Sequence, residues 1–249
     1  MTAPAREIGG TAYQPPVDPQ ESSLKELLSY AGHPLPTDSQ MDWLRPAASM
    51  AGGKDDVRIY YQGRLELLRR RCVSIVGSRE VSEEGRKRAA RLARELAEAG
   101  IVVVSGLAKG VDTAALRSAS DAGGDIAAVI GTPLSQAYPK ENAGLQETLW
   151  RRHLLLTPFA NGERVFRSNF PKRNRVMASL TLATVIVEAS DTSGTLHQAA
   201  ECQRLGRWLF IMKSVAENPA LKWPASFLNQ PRAAVLEHTD DLLKAISHG

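Results

Sequence analysis

The chain has 249 residues and a formal net charge of +4; 43% of its residues are hydrophobic and 23% are charged. This length and composition can bury a full core, so they predict one folded domain with a short appendage and exclude a chain that is mostly disordered. Only Cys72 and Cys202 are present, far apart and in no Cys-x-x-Cys pattern, which excludes a disulfide framework and a cysteine-based zinc site.

Targeting features are also missing from this sequence. No apolar run approaches the roughly 20 residues needed to span a bilayer, and no charged N-terminal region precedes an apolar run. We therefore expect a cytoplasmic protein without membrane contact, bound metal or cofactor. The small positive charge is compatible with a polyanionic partner but does not require one.

The first 56 residues divide into two predicted parts. Residues 1–20 combine several prolines with Ala, Gly and Thr, a composition typical of a disordered arm. Residues 21–56 contain helical patterns at 23–30 and 41–50, separated by glycine and proline, and predict a small helical N-terminal segment.

Residues 57–249 predict a Rossmann-like domain. An edge strand is expected at 57–61, after which apolar runs alternate with helical patterns, as buried parallel strands and their crossover helices do. The further strands are predicted at 72–76, 101–104, 126–130, 154–157, 185–187 and 208–212. The helices are predicted at 82–99, 110–122, 140–151, 173–181 and 194–205, with a last helix capped by Thr239. This order favours an α/β fold, an extended Rossmann-like, doubly wound, mostly parallel sheet with a short N-terminal helical appendage.

Ligands of such sheets bind beyond the carboxyl ends of the strands, so the loops there are the candidate site. The first loop is Gly77-Ser78-Arg79, in which glycine permits a tight turn and the serine and arginine can bind an oxyanion. The second loop has the composition of a phosphate cradle, but it is neither a Gly-x-Gly-x-x-Gly nor a Walker A sequence. Its candidate residues are Ser105, Gly106, Lys109 and Gly110, and Asp112 is interpreted as a carboxylate that organises the loop.

The third loop is strongly basic and leads into the helix predicted at 173–181. Arginines on the first turn of a helix add their charge to the positive end of the helix dipole, which is costly unless an anion binds there. The segment therefore predicts contacts with a phosphodiester backbone. Its candidate residues are Phe170, Lys172, Arg173, Asn174 and Arg175.

Residues near the third loop extend this prediction. A focused positive field arises if the basic side chains share one face; these are Arg151, Arg152, Arg164, Arg167 and the three in the loop itself. Phe159, Phe166 and Phe170 are candidates either to stack on nucleobases or to pack in the core. A fourth loop, Glu188 to Thr195, offers small polar residues that allow a phosphate to approach a helix start; its candidate residues are Ser193, Gly194 and Thr195.

Taken in order, these motifs resemble the DNA-processing protein A family, also called DprA or Smf. The matching segments are Gln62-Gly63-Arg64-Leu65-Glu66-Leu67-Leu68, Ile75-Val76-Gly77-Ser78-Arg79, Val104 to Asp112, Tyr138-Pro139-Lys140-Glu141-Asn142, Asn169 to Arg175 and Ser193-Gly194-Thr195. The resemblance implies a non-enzymatic protein that binds single-stranded DNA without sequence preference, forms a homodimer and helps to load a RecA-type recombinase during DNA uptake. It also implies that the residues of the first three loops line the strand-binding pocket.

The chain departs from the family pattern at two places. Leu116 stands where many members carry a histidine, and Lys213-Ser214-Val215 replaces a Pro-Gly pair. Two alternatives also stay open. One is an enzyme of the related LOG family, which cleaves the base from nucleoside monophosphates, although Gln198 occupies the position of its catalytic glutamate. The other is a sensor that binds a small nucleotide through the same loops.

Overall fold

The computed structural model describes residues 13–35 and 57–247. They form a nine-stranded sheet with helices on both faces. The strands are β1 (Gln20–Ser23), β2 (Arg58–Gly63), β3 (Cys72–Val76), β4 (Val102–Ser105), β5 (Ile126–Val129), β6 (Leu154–Thr157), β7 (Ala183–Ile186), β8 (Trp208–Met212) and β9 (Ala233–Leu236). The helices are α1 (Leu24–Tyr30), α2 (Glu83–Glu98), α3 (Val111–Asp121), α4 (Ala143–Arg152), α5 (Asn169–Ser179), α6 (Thr195–Arg204), α7 (Lys213–Ala216), α8 (Trp223–Leu228) and α9 (Thr239–Ser247). Short 3-10 turns lie at Leu65–Arg69 and Lys140–Asn142.

The order of the strands creates a switch point in the middle of the sheet. The order is β1-β2-β6-β5-β4-β3-β7-β8-β9, with parallel pairing from β6 to β9 and antiparallel pairing of β1 and β2 at one edge. The chain thus builds outward from β3 through β4, β5 and β6, and then returns to the other side of β3 with β7. Loops that follow β3 and β7 diverge there and leave a crevice, the usual ligand position in this architecture.

Both faces of the sheet are covered, as the continuous apolar runs predict. Every residue of β3 is buried; Val73 and Ile75 belong to one apolar cluster, while Cys72 and Val76 belong to the other. Successive side chains of a strand point to opposite faces, so a strand between two helical layers is mostly apolar, and the one polar residue of β3, Ser74, bonds to the Thr184 hydroxyl at 2.9 Å. The prediction of a doubly wound, mostly parallel α/β sheet is confirmed.

Helix α2 shows how local sequence sets an element that covers the sheet. Ser82 caps its start, since the serine hydroxyl accepts a hydrogen bond from the Gly85 N–H at 2.9 Å. The positions that face the core follow helical spacing: they are Ala89, Leu92, Ala93 and Leu96. The helix ends before Gly100, whose φ of +74° is a left-handed conformation that glycine adopts at little cost.

The N-terminal part differs from its prediction in one respect. The strand predicted at 57–61 is not an edge strand, because the polar segment Gln20–Ser23 pairs with it and forms the edge. The backbone ladder makes this pairing, with one ion pair across it between Glu21 and Arg58, so the side chains of that segment need no apolar strand pattern. Helix α1 begins after Ser23 with a capping box to Glu26. The helix predicted at 41–50 lies outside the described residues.

Residues 13–20, which belong to the stretch predicted as a disordered arm, contact the main domain. The Tyr13 hydroxyl donates to the Leu134 carbonyl at 2.8 Å and accepts from the Gln146 amide at 2.9 Å. The Trp150 indole N–H donates to the Gln14 carbonyl at 3.2 Å. This short stretch therefore lies against α4. Residues 1–12 lie outside the described part of the chain.

Two predicted helix starts are wrong. The helix predicted at 173–181 begins at Asn169, because Pro171 falls within its first turn, where a missing N–H costs nothing. Thr239 does not cap the last helix, since its hydroxyl bonds to the carboxylate of Glu95 on α2. Among the described helices, none is both long and apolar enough to cross a membrane.

Candidate nucleic-acid interface

A pocket of about 340 Å³ opens at the switch point between β3 and β7. Its walls are the loops that follow these two strands and one side each of α5 and α6. Of the residues predicted for the site, those that line it are Gly77, Ser78, Arg79, Phe170, Arg173, Asn174, Ser193, Gly194 and Thr195. The predicted residues outside the lining are Ser105, Gly106, Lys109, Gly110, Lys172 and Arg175.

The β3 loop is held in place by backbone contacts on both sides. The Ser78 N–H donates to the Glu188 carbonyl at 2.7 Å, and the Ser78 carbonyl accepts from the Val111 N–H at 3.2 Å. The Ser78 hydroxyl donates to the Glu80 carbonyl at 3.0 Å. Ser78 therefore shapes the loop, and the exposed Arg79 is the side chain that this loop offers to a ligand.

The β4 loop folds back onto the start of α3 through Asp112. One carboxylate oxygen of Asp112 accepts from the Gly106 N–H at 3.1 Å and from the Ala108 N–H at 3.3 Å. The interpretation of Asp112 as a loop-organising carboxylate is confirmed. Burial raises the pKa of this carboxyl, an effect that Arg173 and the two N–H donors oppose.

Arg173 lies beneath the pocket and is only 5% exposed. Its Nη1 donates to the Val129 carbonyl at 2.7 Å, and a Cβ placed at position 106 would come within 1.7 Å of that same nitrogen. Because Gly106 has no side chain, the guanidinium occupies the space beside it. Burial lowers the pKa of Arg173, and the charge of Asp112 opposes this shift. The side chain supports the pocket floor, and its Nε has no hydrogen-bond partner among the described residues.

Helix α5 presents one face to the pocket. Four of its five lining residues are Phe170, Arg173, Asn174 and Met177, a spacing of i, i+3, i+4 and i+7 that places them on the same side of a helix; Pro171, in the first turn, is the fifth. Lys172 and Arg175 lie off this face. The side chain of Asn174 makes no hydrogen bond within the described residues, so its amide group is available at the pocket wall.

Helix α6 begins at the opposite wall. The Ser193 hydroxyl accepts from the Thr195 N–H at 3.2 Å, and the N–H groups of Leu196 and His197 donate to carbonyls one turn earlier. The first amides of the helix are thus satisfied locally, so the helix offers a ligand its dipole and the hydroxyl of Ser193. Gly194 has open space around its Cβ position and an ordinary φ, so the structure does not require glycine there.

The sequence places Glu188 in the fourth loop but indicates no role for it; in the structure it joins the β7 loop to the β3 loop and to the start of α2. Its carboxylate accepts from the N–H of Ser82 at 2.9 Å and also from the Ser82 hydroxyl at 2.5 Å, and it lies 3.6 Å from Arg88. Its carbonyl holds Ser78, as described above. The residue follows β7 directly, so its place after an apolar run was the one signal for it.

Three other predicted residues serve the fold. The Ser105 hydroxyl is buried and donates to the Ile75 carbonyl at 2.6 Å. Lys109 is exposed and pairs with Glu141 at 2.6 Å. Gly110 has a φ of +79° and lies so close to the β3 loop that a side chain there would meet the Ser78 carbonyl.

The charges at the pocket are more balanced than the basic segment suggests. Arg79 and Arg173 on the lining are matched by Glu80 and Asp112. Arg151, which was expected to join a common basic face, instead pairs with Glu147 on its own helix at 2.8 Å. The positive character of the mouth therefore rests on Arg79 and on the dipole of α6.

The predicted aromatic residues separate into three environments. Phe159 is a core residue, so it is not available for stacking. Phe166 is 55% exposed, with the Arg164 guanidinium 5.7 Å from its ring centroid. Phe170 lies at the pocket, in contact with the ring of Tyr138 and with the guanidinium of Arg79. Within the described residues, no group of His, Cys, Asp and Glu side chains is placed to hold a metal ion.

Comparisons with known proteins identify the family. The DNA recombination-mediator protein A family matches residues 49–247. DNA processing protein DprA of Streptococcus pneumoniae is 41% identical over 156 residues, which cover 63% of this chain and 55% of that protein. The X-ray structure of that S. pneumoniae protein has a TM-score of 0.69 at 35% identity, and the match covers 81% of this chain and 70% of that one.

A second solved structure shares the fold. DNA processing protein A of Helicobacter pylori, for which a single-stranded DNA binding mode is described, has a TM-score of 0.69 at 24% identity, covering 92% of this chain and 96% of that chain. The present chain spans about half the length of the curated relatives it matches. Because the family model matches most residues of the chain, the chain belongs to the DNA recombination-mediator protein A family.

Proposed function

We propose that this protein binds single-stranded DNA through the sugar–phosphate backbone, without sequence preference, at the pocket between β3 and β7. The observation that carries the proposal is the convergence of Arg79 and Asn174 on this pocket, since neither side chain makes a hydrogen bond within the described residues. Membership of the family supports the same ligand. Guanidinium and amide donors suit phosphate oxygens, and phosphate contacts carry no information about base sequence.

The remaining residues act on the ligand indirectly in this proposal. Ser78 and Gly77 hold the loop that carries Arg79, Arg173 forms the floor, and the start of α6 adds a favourable potential for an anion. Lys172 and Arg175 lie on neighbouring parts of α5 and extend the positive surface beyond the pocket. Lys109 adds to this positive surface when a phosphate displaces Glu141, because the ion pair between Lys109 and Glu141 is exposed and exposed ion pairs are weak.

Arg79→Gln is expected to weaken binding of a labelled single-stranded oligonucleotide about tenfold at low salt, because a charge-assisted hydrogen bond is lost. The slope of log affinity against log salt should also fall by roughly 0.7, the value for one phosphate contact on a single strand. Fluorescence anisotropy across a salt series measures both quantities. The effect should be equal for oligonucleotides of different sequence.

Arg117→Gln is the matched control, since Arg117 is exposed on α3 and does not line the pocket. It should leave affinity and slope close to those of wild type. Nearly flat salt dependence in the wild-type protein would contradict backbone binding. Tight binding of a free nucleoside monophosphate without oligonucleotide binding would instead favour the nucleotide sensor.

We propose further that the protein is a homodimer and that it loads a RecA-type recombinase on the bound strand, both by family resemblance. Sedimentation analysis tests the first point. The loading role predicts that the protein accelerates recombinase filament formation on strands that are already covered by a single-strand binding protein. No acceleration at a concentration that saturates the strand would refute the loading role.

The proposal assigns no bond-breaking chemistry to the pocket. Gln198 stands at the position of the glutamate in the related phosphoribohydrolases, and its amide donates to the Thr184 hydroxyl at 3.2 Å. An amide cannot act as the carboxylate of a general acid or base. Incubation with adenosine monophosphate should therefore release no free base, and release that depends on Gln198 would restore the enzyme alternative.

A further inference from the structure

An exposed aromatic ring lies next to the pocket. Tyr138 is 43% exposed, and its ring centroid lies 5.6 Å from that of Phe170 with the two planes tilted by 46°. Single exposed rings are common on protein surfaces. This ring differs in that it continues the pocket wall, because Phe170 belongs to the lining.

The segment behind Tyr138 is firmly anchored. The amide of Asn142 donates to the Leu107 carbonyl at 2.9 Å and to the Thr113 hydroxyl at 2.7 Å. The Asn142 N–H donates to the Pro139 carbonyl at 3.0 Å. These bonds tie the segment to the β4 loop and to α3. A ring carried on a fixed backbone loses little conformational entropy when it binds a ligand.

Phe170 is only partly exposed, and neighbours contact its ring. A Cβ at position 131 would lie 2.8 Å from its Cδ1, so the backbone of Gly131 rests against the ring. The Arg79 guanidinium lies 5.3 Å from the ring centroid on the pocket side. Phe170 thus lies between Arg79 and Tyr138, and of the two aromatic rings Tyr138 is the exposed one.

We propose that Tyr138 is a stacking residue that binds a nucleobase of the strand whose phosphate lies at Arg79. This inference rests on the proposed function and adds a base contact to it. Stacking of a base on an aromatic ring tolerates any sequence, since every base has a π-face. The row formed by Arg79, Phe170 and Tyr138 places a phosphate donor and a stacking ring on one continuous surface.

The test compares two ligands of equal length: an oligothymidine strand and a strand of abasic sites with the same phosphates. Tyr138→Leu should weaken binding of oligothymidine about tenfold and leave binding of the abasic strand unchanged. The salt slope should stay at the wild-type value, because no phosphate contact is lost. Tyr138→Phe keeps the ring and should retain wild-type affinity for both strands.

Tyr30→Leu provides a matched control. Tyr30 is 41% exposed on α1, and the Arg69 guanidinium lies 5.6 Å from its ring centroid, so its surroundings are similar, but Arg69, unlike Phe170, does not line the pocket. Tyr30→Leu should change neither the affinity for oligothymidine nor that for the abasic strand. An equal loss on both strands in Tyr138→Leu, or no loss on either, would overturn the stacking role while wild-type binding and its salt dependence persist. Absence of any strand binding by the wild-type protein would overturn the proposed function, and the stacking role with it.

Discussion

Arg173→Met is expected to lower the free energy of unfolding by about 1–3 kcal/mol at pH 7, the usual cost of leaving a buried polar group without its hydrogen-bond partner. The change leaves the buried Asp112 without its nearest opposing charge and the Val129 carbonyl without its donor. Methionine keeps much of the side-chain volume, so a cavity contributes little to the loss. Urea denaturation followed by circular dichroism measures the effect.

The loss of stability in Arg173→Met should increase from acid to neutral pH. Burial raises the folded-state pKa of Asp112 above its unfolded value, so its contribution to stability is fully present below the unfolded pKa and is lost as the pH rises through the folded pKa. Arg173 opposes this shift in the wild-type protein. Its removal raises the pKa of Asp112 further, so the variant should be closest to wild type in acid and furthest from it at neutral pH.

A second substitution isolates the charge effect. Asp112→Asn keeps an oxygen that can accept from the Gly106 and Ala108 N–H groups, and it removes the buried negative charge. The double variant Arg173→Met with Asp112→Asn should therefore recover part of the lost stability and lose the pH dependence. Equal stability of Arg173→Met and wild type across this pH range would show that the buried pair is not coupled.

Gly110→Ala is expected to destabilise the fold by at least about 3 kcal/mol and to abolish single-strand binding. Gly110 has φ +79° and ψ −123°, a conformation that residues with a side chain rarely adopt. A Cβ there would lie 2.3 Å from the Ser78 carbonyl oxygen and 2.5 Å from that of Arg79. Both are backbone atoms, so the β3 loop must move, and Arg79 moves with it.

Gly123→Ala separates the conformational cost of a positive φ from the steric clash with the β3 loop. Gly123 has a similar φ of +76°, but no atom lies within 4 Å of the Cβ position. This variant should lose only the conformational cost, about 1 kcal/mol, and retain DNA binding. Thermal denaturation and anisotropy measure the two readouts. If both alanine variants were equally stable and bound equally well, the close packing of the β3 and β4 loops would not matter for the site.

Much of the fold follows from local patterns. The apolar runs at 72–76, 154–157 and 208–212 match β3, β6 and β8 without any shift of their ends, because a strand buried on both faces is mostly apolar. Segments without a side-chain pattern escaped detection. Strand β1 reads as Gln-Glu-Ser-Ser, and it pairs with β2 through the backbone ladder and one exposed ion pair, Glu21 with Arg58.

The candidate site divides in a similar way between sequence and structure. Which loops form the pocket could be predicted, since the order of strands and loops places the segments after β3 and β7 at the carboxyl edge of the sheet. Which side chains enter the pocket could not, because that depends on helix phase and on distant partners. Arg173 and Arg175 are two residues apart, yet the first is buried on the pocket face of α5 and the second lies off that face.

Fold class, family and the loops of the candidate site could all be predicted from local patterns, because hydrophobic periodicity and short motifs are local properties. The roles of individual charges became visible in the folded chain. Lys109 pairs with Glu141, which is 32 residues further along the chain, and Arg173 fills the space left by Gly106. Such contacts form when distant segments pack together, so no local pattern reports them.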